Sequence, residues 1–265
     1  MAMRLIAPAG STASADGARR PAWPAVLVLA LVLVEVLLIG LGVWQLVRRV
    51  DKLALIDRVE ARVAAMPVAA PGPVDWPRIS ASTDAYRHVR VSGRFLHGEE
   101  TLVQAVTEAG PGYWVMTPLA SDDGFTVLVN RGFVPGDRRD QATRGAGSIG
   151  GSVAVTGLLR ISEPGGGFLR ANDPSAGRWY SRDVAAIAAR HGLGAVAPYF
   201  IDADASPNPG GWPLGGLTVI VFPNNHLVYA LTWFSLAAGL AIGIAATRRN
   251  AGDPSWHHAG KAMRR

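Results

Sequence analysis

The chain has 265 residues, of which 49% are hydrophobic and only 17% are charged, with a formal net charge of +6 and no cysteine. Soluble domains carry about 25% charged residues, so this composition indicates membrane-embedded segments. The absence of cysteine excludes a disulfide framework, a thiolate metal site and covalent c-type haem attachment.

Two long apolar runs predict two transmembrane helices. Residues 25–46 contain a single charged side chain, Glu35, and residues 227–246 contain none. Each run is long enough to cross a hydrocarbon core of about 30 Å. No small-residue cleavage site follows the first run, so we expect a retained signal anchor.

The charges beside the spans predict that both termini are cytoplasmic. No Lys or Arg lies between Arg190 and the second span, whereas Arg248 and Arg249 follow it at once. Arg48 and Arg49 after the first span give an opposing signal, but long translocated domains largely escape the charge rule. The basic excess then lies mainly in the tails, and the region between the spans is nearly neutral. A nucleic-acid partner is therefore not expected, because neutralising phosphates requires a basic face.

The chain divides into six segments. The juxtamembrane one is predicted helical because apolar residues recur every three or four positions up to Val63, and Pro67 then ends the pattern. The segments are a cytoplasmic tail (1–24), the first transmembrane helix (25–46), the juxtamembrane amphipathic helix (47–66), an extracytoplasmic β-rich domain (67–226), the second transmembrane helix (227–246) and a cytoplasmic basic tail (247–265).

Alternating apolar residues, separated by Gly, Pro, Asp and Asn, predict strands in the domain. The predicted strands are 86–95, 100–106, 113–118, 125–134, 152–160, 197–202 and 217–222. One helix is expected over residues 181–191 with Ser181 as its N-cap, and residues 136–151 are expected to form a flexible loop. The predicted fold is a membrane protein whose two transmembrane α-helices flank an extramembrane α+β domain with an antiparallel β-sheet or partly closed barrel.

His226 lies where the outer domain meets the second span. If a helix begins near Asn225, then His226, Tyr229 and Trp233 share one face, since they are three and four residues apart. An imidazole there can ligate a haem iron while the neighbouring rings pack against the macrocycle. The alternative is a polar residue at the interface, near a helix cap supplied by Asn224 or Asn225.

Glu35 is a carboxylate near the middle of a predicted span. Such groups are costly in lipid and mark functional sites by default. The alternative is a protonated carboxyl that is hydrogen-bonded to a partner subunit or to the second span, where Thr232 and Ser235 are candidate neighbours. No serine-nucleophile, zinc-protease or Walker motif occurs, so we expect a protein that is not an enzyme.

Three motifs in this order resemble the surfeit locus protein 1 family. They are GVWQL at residues 42–46 with Arg48 after it, VNRGFVP at residues 129–135, and NHLVYALTWF at residues 225–234. The stretch 213–218 also fits, and the resemblance covers residues 25–246. Phe133 and Val219 depart from the pattern, since many members have Trp and Arg there.

The resemblance implies an assembly factor for haem–copper cytochrome c oxidase in a bacterial inner membrane. Its implied task is the delivery of haem a to, or its insertion into, subunit I at the outer face of the membrane. The implied cofactor is haem a, held transiently, and the implied partners are oxidase subunit I, haem a synthase and the lipid bilayer. A scaffold that stabilises an oxidase assembly intermediate without binding haem is the alternative.

The resemblance also implies site residues. His226 matches the histidine proposed as a haem ligand in the family. Tyr229 and Trp233 would accompany it. The other matched motif positions are Trp44, Gln45, Arg48, Arg131 and Gly132.

Overall fold

The computed structural model describes the backbone of residues 23–220 and 222–251 and the side chains of residues 26–220 and 222–249. The described residues form two compact units, one of residues 23–51 with 224–251 and one of residues 52–220 with 222–223. Residues 1–22 and 252–265, which hold most of the two predicted tails, lie outside the described residues.

Two long helices provide the apolar segments of the chain. Helix α1 covers Trp23–Ala64 without a break, and the last helix, α4, covers His226–Ala251. Both are long and apolar enough to cross a membrane. Helix α1 ends shortly before Pro67, as expected from the preference of a residue before proline for extended backbone.

Within the first unit, the two apolar helices pack closely at Gly42. A Cβ atom at this position would lie 2.5 Å from Cε1 of Phe234. The missing side chain therefore lets the aromatic ring of α4 approach the α1 backbone, which is a common use of small residues between membrane helices.

The second unit is built on seven strands. They are β1 (Val68–Ala69), β2 (His88–Phe95), β3 (Thr101–Thr107), β4 (Gly110–Ser121), β5 (Thr126–Pro135), β6 (Ser152–Ile161) and β7 (Val196–Ala203). Two short helices accompany them, α2 (Ala81–Asp84) and α3 (Val184–Arg190).

Five of these strands close into a barrel. The strand order is β1-β2-β6-β7-β5-β4-β3, and β2 also pairs with β4 through Gly93, Arg94 and Phe95. The interior is filled by apolar side chains from all five barrel strands, among them Val89, Leu119, Val129, Leu159 and Tyr199. A β-rich domain flanked by two apolar helices was predicted, and the structure confirms it.

The sheet is mixed rather than wholly antiparallel, because β5 and β7 run parallel. A closed ring with an odd number of strands cannot alternate in direction all the way round. Within the barrel, the expectation of antiparallel pairing therefore fails at β5–β7, and outside the barrel β1 also pairs parallel with β2.

Three local predictions differ from the structure. No strand forms over residues 217–220, the described part of the last predicted strand besides Phe222. Helix α3 begins at Val184 with Asp183 as its N-cap, which accepts from the Ala186 N–H at 3.1 Å. Ser181 instead accepts hydrogen bonds from Gly166 and Asn172.

The predicted loop over residues 136–151 contains two short 3-10 helices. Arg144 from this segment is buried and forms a bidentate ion pair with Glu100. The segment is therefore tied to the barrel by a buried side chain, which composition alone does not indicate.

Gly93 provides a test of the barrel closure. A Cβ atom there would overlap the backbone carbonyl of Ala120 on β4. We expect Gly93→Ala to lower the free energy of unfolding of the domain by at least about 2 kcal/mol, because the two backbones must separate.

Gly98 is the matched control, since a Cβ atom there meets nothing within 4 Å. Gly98→Ala should change the free energy of unfolding by less than about 0.5 kcal/mol. Thermal and denaturant unfolding of the full chain in detergent measures both variants. Equal stability of the Gly93→Ala variant and the wild type would contradict the closure.

Candidate functional site

His226 is the first residue of α4 and is half-buried. Its Nδ1 atom lies 2.7 Å from Oε1 of Gln45 on α1. Two residues separated by 181 positions in the chain are thus joined by one hydrogen bond, and both belong to predicted motifs. The residue pattern around Gln45 and around His226 predicts a helix in each case, but the sequence does not predict that these two residues are in contact.

This hydrogen bond determines the tautomer of the imidazole. An amide oxygen only accepts, so Nδ1 of His226 carries the proton and donates it to Gln45. In the neutral ring the lone pair is then on Nε2, and no hydrogen bond to Nε2 occurs among the described residues. A neutral imidazole with one nitrogen fixed by a protein acceptor is the usual form of a metal-ligating histidine.

Aromatic side chains lie along the same helices. Tyr229 and Trp233 follow His226 at steps of three and four residues, and the Tyr229 side chain is 54% exposed. Trp44, next to Gln45 on α1, is also exposed. The Tyr229 ring on α4 and the Trp44 ring on α1 are therefore both available to a ligand. Arg48, exposed and three residues after Gln45, adds a cation on α1.

Glu35 is half-buried and lies in a separate groove between the two apolar helices. The groove has a volume of about 570 Å³ and is lined by Val32, Val36, Ala241, Ile244, Ala245, Arg248 and Arg249. The Oε2 atom of Glu35 is buried without a hydrogen-bond partner among the described residues. The expected neighbours Thr232 and Ser235 line a different groove, and the Thr232 hydroxyl donates to the Val228 carbonyl at 2.9 Å.

Arg131 belongs to β5 in the barrel domain and is 3% exposed. Its Nη2 donates to the Gly147 carbonyl at 2.5 Å and to Oδ1 of Asn208 at 2.9 Å. Burial lowers the pKa of Arg131 to about 10, with Glu100 acting in the opposite direction and Arg144 adding to the decrease. The guanidinium is still charged at neutral pH.

Gly132 has a structural role in this fold. Its φ angle is +128°, and a Cβ atom there would overlap the backbone carbonyl of Leu214. Phe133 and Leu214 then exchange two backbone hydrogen bonds of 2.9 Å. Gly132 therefore lets the VNRGFVP segment pair with the segment that contains Pro213 and Thr218.

Comparison with known proteins assigns the chain to a family. The family model described as the SURF1 family matches residues 32–238, which include all the motif positions above. This chain belongs to the SURF1 family.

Relatives of this chain in the SURF1 family match over most of their length. Surfeit locus protein 1 of Rattus norvegicus is 39% identical over 216 residues, which is 75% of this chain and 68% of that protein. Surfeit locus protein 1 of Homo sapiens is 37% identical over 247 residues, covering 86% of this chain and 80% of that protein. A SURF1-like protein of Monosiga brevicollis is 37% identical over 240 residues, covering 85% and 89%.

A buried polar cluster of this SURF1-family chain was not predicted from its sequence. Asp202, 3% exposed, accepts hydrogen bonds from Asn130 at 2.8 Å, Arg160 at 2.8 Å, Arg182 at 3.2 Å and Thr218 at 3.1 Å. Burial alone lowers the pKa of Arg182, but Glu163 and Asp202 hold it above its ordinary value. The sequence feature that could have indicated this cluster is a charged residue, Asp202, directly after the apolar residues of β7.

The tautomer of His226 is a direct test of the Gln45 contact. Nitrogen-15 NMR of the histidine-labelled full chain in detergent should show a protonated Nδ1 and an unprotonated Nε2 in the neutral ring of His226. Gln45→Leu removes the acceptor, so this preference should be lost.

Gln104→Leu is the matched control, because Gln104 is an exposed glutamine on β3. The His226 signals of this variant should equal those of the wild type. A proton on Nε2 in the neutral ring of the wild-type protein would contradict the proposed hydrogen bond.

Proposed function

We propose that this chain is a membrane-anchored assembly factor that holds haem a transiently and assists its delivery to subunit I of a haem–copper cytochrome c oxidase. The SURF1 family is known as cytochrome c oxidase assembly factors, and this membership implies a non-catalytic role in oxidase assembly. The step that involves haem a is the specific part of the proposal.

The observation that supports haem binding is the imidazole of His226. Gln45 fixes its Nδ1 proton, and Nε2 has no hydrogen-bond partner among the described residues. Axial ligation by a histidine is a common way in which proteins hold haem iron. A free Nε2 and the exposed rings of Tyr229 and Trp44 suit a flat, apolar ligand with a metal centre.

The proposed ligand set supports transient binding. His226 would hold the iron through Nε2, and Tyr229 and Trp233 would contact the ring. Haem a is the cargo in this scheme, and its iron contributes the open coordination position that the imidazole fills. A single neutral ligand at the edge of two helices favours release to a partner with a better ligand set.

The proposed location is a bacterial inner membrane, with α1 and α4 as the spans. The residues before α1 and after α4 would be cytoplasmic, and the barrel domain would face the outer side. The excess of Arg at the end of α4 supports this orientation. Oxidase subunit I and haem a synthase are the proposed partners within the bilayer.

A scaffold without haem is the second candidate. The observation that favours it is the exposed apolar surface of the spans, which includes Val36, Leu37 and Ile242. Such surface can contact the transmembrane helices of an oxidase subunit directly. This role requires no free nitrogen on His226.

The visible spectrum tests haem binding. The full chain, purified in detergent from cells that make haem a, should carry the haem with a characteristic absorption. His226→Ala should lower the haem content at least tenfold, because the axial ligand is lost. Gln45→Leu should lower it by a smaller factor, since it removes the orientation of the ring but not the donor.

His88→Ala is the control variant, because His88 belongs to the barrel unit and not to the apolar helices. Its ring is hydrogen-bonded there to the Ala65 carbonyl. It should keep the wild-type haem content. Haem-free wild-type protein, or equal haem content in the His226→Ala variant, contradicts the haem-carrier proposal. Copurification of subunit I with both proteins would then support the scaffold.

The orientation is testable because the chain has no native cysteine. A cysteine in place of exposed Ala176 should react with a membrane-impermeant maleimide in cells with a permeabilised outer membrane. A cysteine in place of Ser14, which precedes α1 in the sequence, should react only after the inner membrane is opened. The reverse pattern would contradict the proposed topology.

A further inference from the structure

Arg131 occupies an interior position at one end of the barrel. Val127 and Val129 point into the barrel core, and the alternation of β5 places Arg131 on the same side. The guanidinium lies 4.8 Å from the ring centroid of Phe95, another interior residue. Arg131 therefore places a cation on the face of β5 that carries the apolar side chains of Val127 and Val129.

The charges around this cation do not balance. Glu100 is the neighbouring carboxylate that favours the charged form of Arg131, and Arg144 is a neighbouring cation. Both carboxylate oxygens of Glu100 already accept hydrogen bonds from Arg144. Arg131 itself bonds to neutral oxygens of Gly147 and Asn208, so this buried group of three carries an excess of one positive charge.

Part of the guanidinium has no acceptor. Both hydrogen bonds of its side chain come from Nη2, and none from Nε or Nη1 occurs among the described residues. An arginine presents its donors as a planar fork that matches carboxylate and phosphate oxygens. Neither Nε nor Nη1 of Arg131 is among the fully buried polar atoms without a partner, so both donors are open to an acceptor that approaches the guanidinium.

A cavity lies against this arginine. Its volume is about 370 Å³, and its lining includes Arg131, Phe95, Val155, Thr156, Ser206 and Asn208. This volume falls in the range of small-molecule pockets, about 300–1,000 Å³. Asp204 also borders the cavity as a carboxylate, and its Oδ1 accepts from the Ser206 N–H at 2.9 Å.

We propose that this cavity is an anion-binding site in which Arg131 receives the carboxylate or phosphate group of a small molecule. The anion supplies the countercharge that the cluster lacks, and Phe95 and Val155 contact the less polar part of the ligand. This site lies within the barrel unit and is separate from the His226 site of the apolar helices. A purely structural role for Arg131, holding Gly147 and Asn208, would use Nη2 alone.

Isothermal titration calorimetry tests the proposal on the full chain in detergent. Inorganic phosphate and acetate are titrated separately at constant ionic strength set with sodium chloride. We expect saturable binding of at least one probe, and the comparison of the two distinguishes a phosphate from a carboxylate site. Arg131→Lys keeps the charge but loses the fork, so the affinity should fall at least tenfold.

Two further variants complete the test. Arg58→Lys changes an exposed arginine of α1 and should bind as the wild type does. Thr156→Leu fills the cavity while leaving Arg131 in place, so it should abolish binding with an unchanged unfolding temperature. Absence of saturable binding in the folded wild type, or wild-type affinity in either the Arg131→Lys or the Thr156→Leu variant, overturns the proposal.

Discussion

The hydrogen bond between Gln45 and His226 is the interaction on which the functional interpretation depends. It joins α1 to the start of α4 at 2.7 Å and fixes the protonated nitrogen of the imidazole. In the neutral ring, the second nitrogen is then the one that can bind a metal. The Gly42–Phe234 contact, one turn away on α1, keeps the two helices close enough for this bond to form. The same hydrogen bond therefore positions the His226 imidazole and selects the nitrogen that carries the proton.

The other two motif regions, VNRGFVP and residues 213–218, lie in the barrel domain. Within VNRGFVP, Gly132 and Arg131 have different roles. Gly132 is required by backbone geometry, because its φ angle of +128° and its approach to Leu214 exclude a side chain. Arg131, the preceding residue, is buried as an uncompensated cation beside a cavity. Thr218, from the segment paired with this motif, completes the hydrogen bonds to Asp202. One continuous motif therefore combines a structural residue with a candidate binding residue.

Much of this organisation was predictable from local patterns. The two spans follow from apolar length, and strands such as β2 and β5 follow from alternation. The parallel pairing of β5 with β7 was not predictable, because alternation identifies strands but not their neighbours. The buried ion pair of Arg144 and Glu100 was missed for a related reason: charged residues resemble surface residues until a partner 44 positions away is known. His226 and Gln45 were both found as motif residues, but their contact required the folded helices.

Electron paramagnetic resonance of the haem-loaded full chain, purified after growth with nitrogen-15 histidine, tests the assignment of His226 most directly. The hyperfine spectrum of the ferric iron reports whether a labelled histidine nitrogen is bonded to it, and the variants show which histidine supplies that nitrogen. The Gln45–His226 geometry predicts an imidazole nitrogen coupling in the wild type that disappears in His226→Gln and persists in His88→Gln. An unchanged coupling in His226→Gln, or no histidine coupling in haem-loaded wild-type protein, would contradict the central claim.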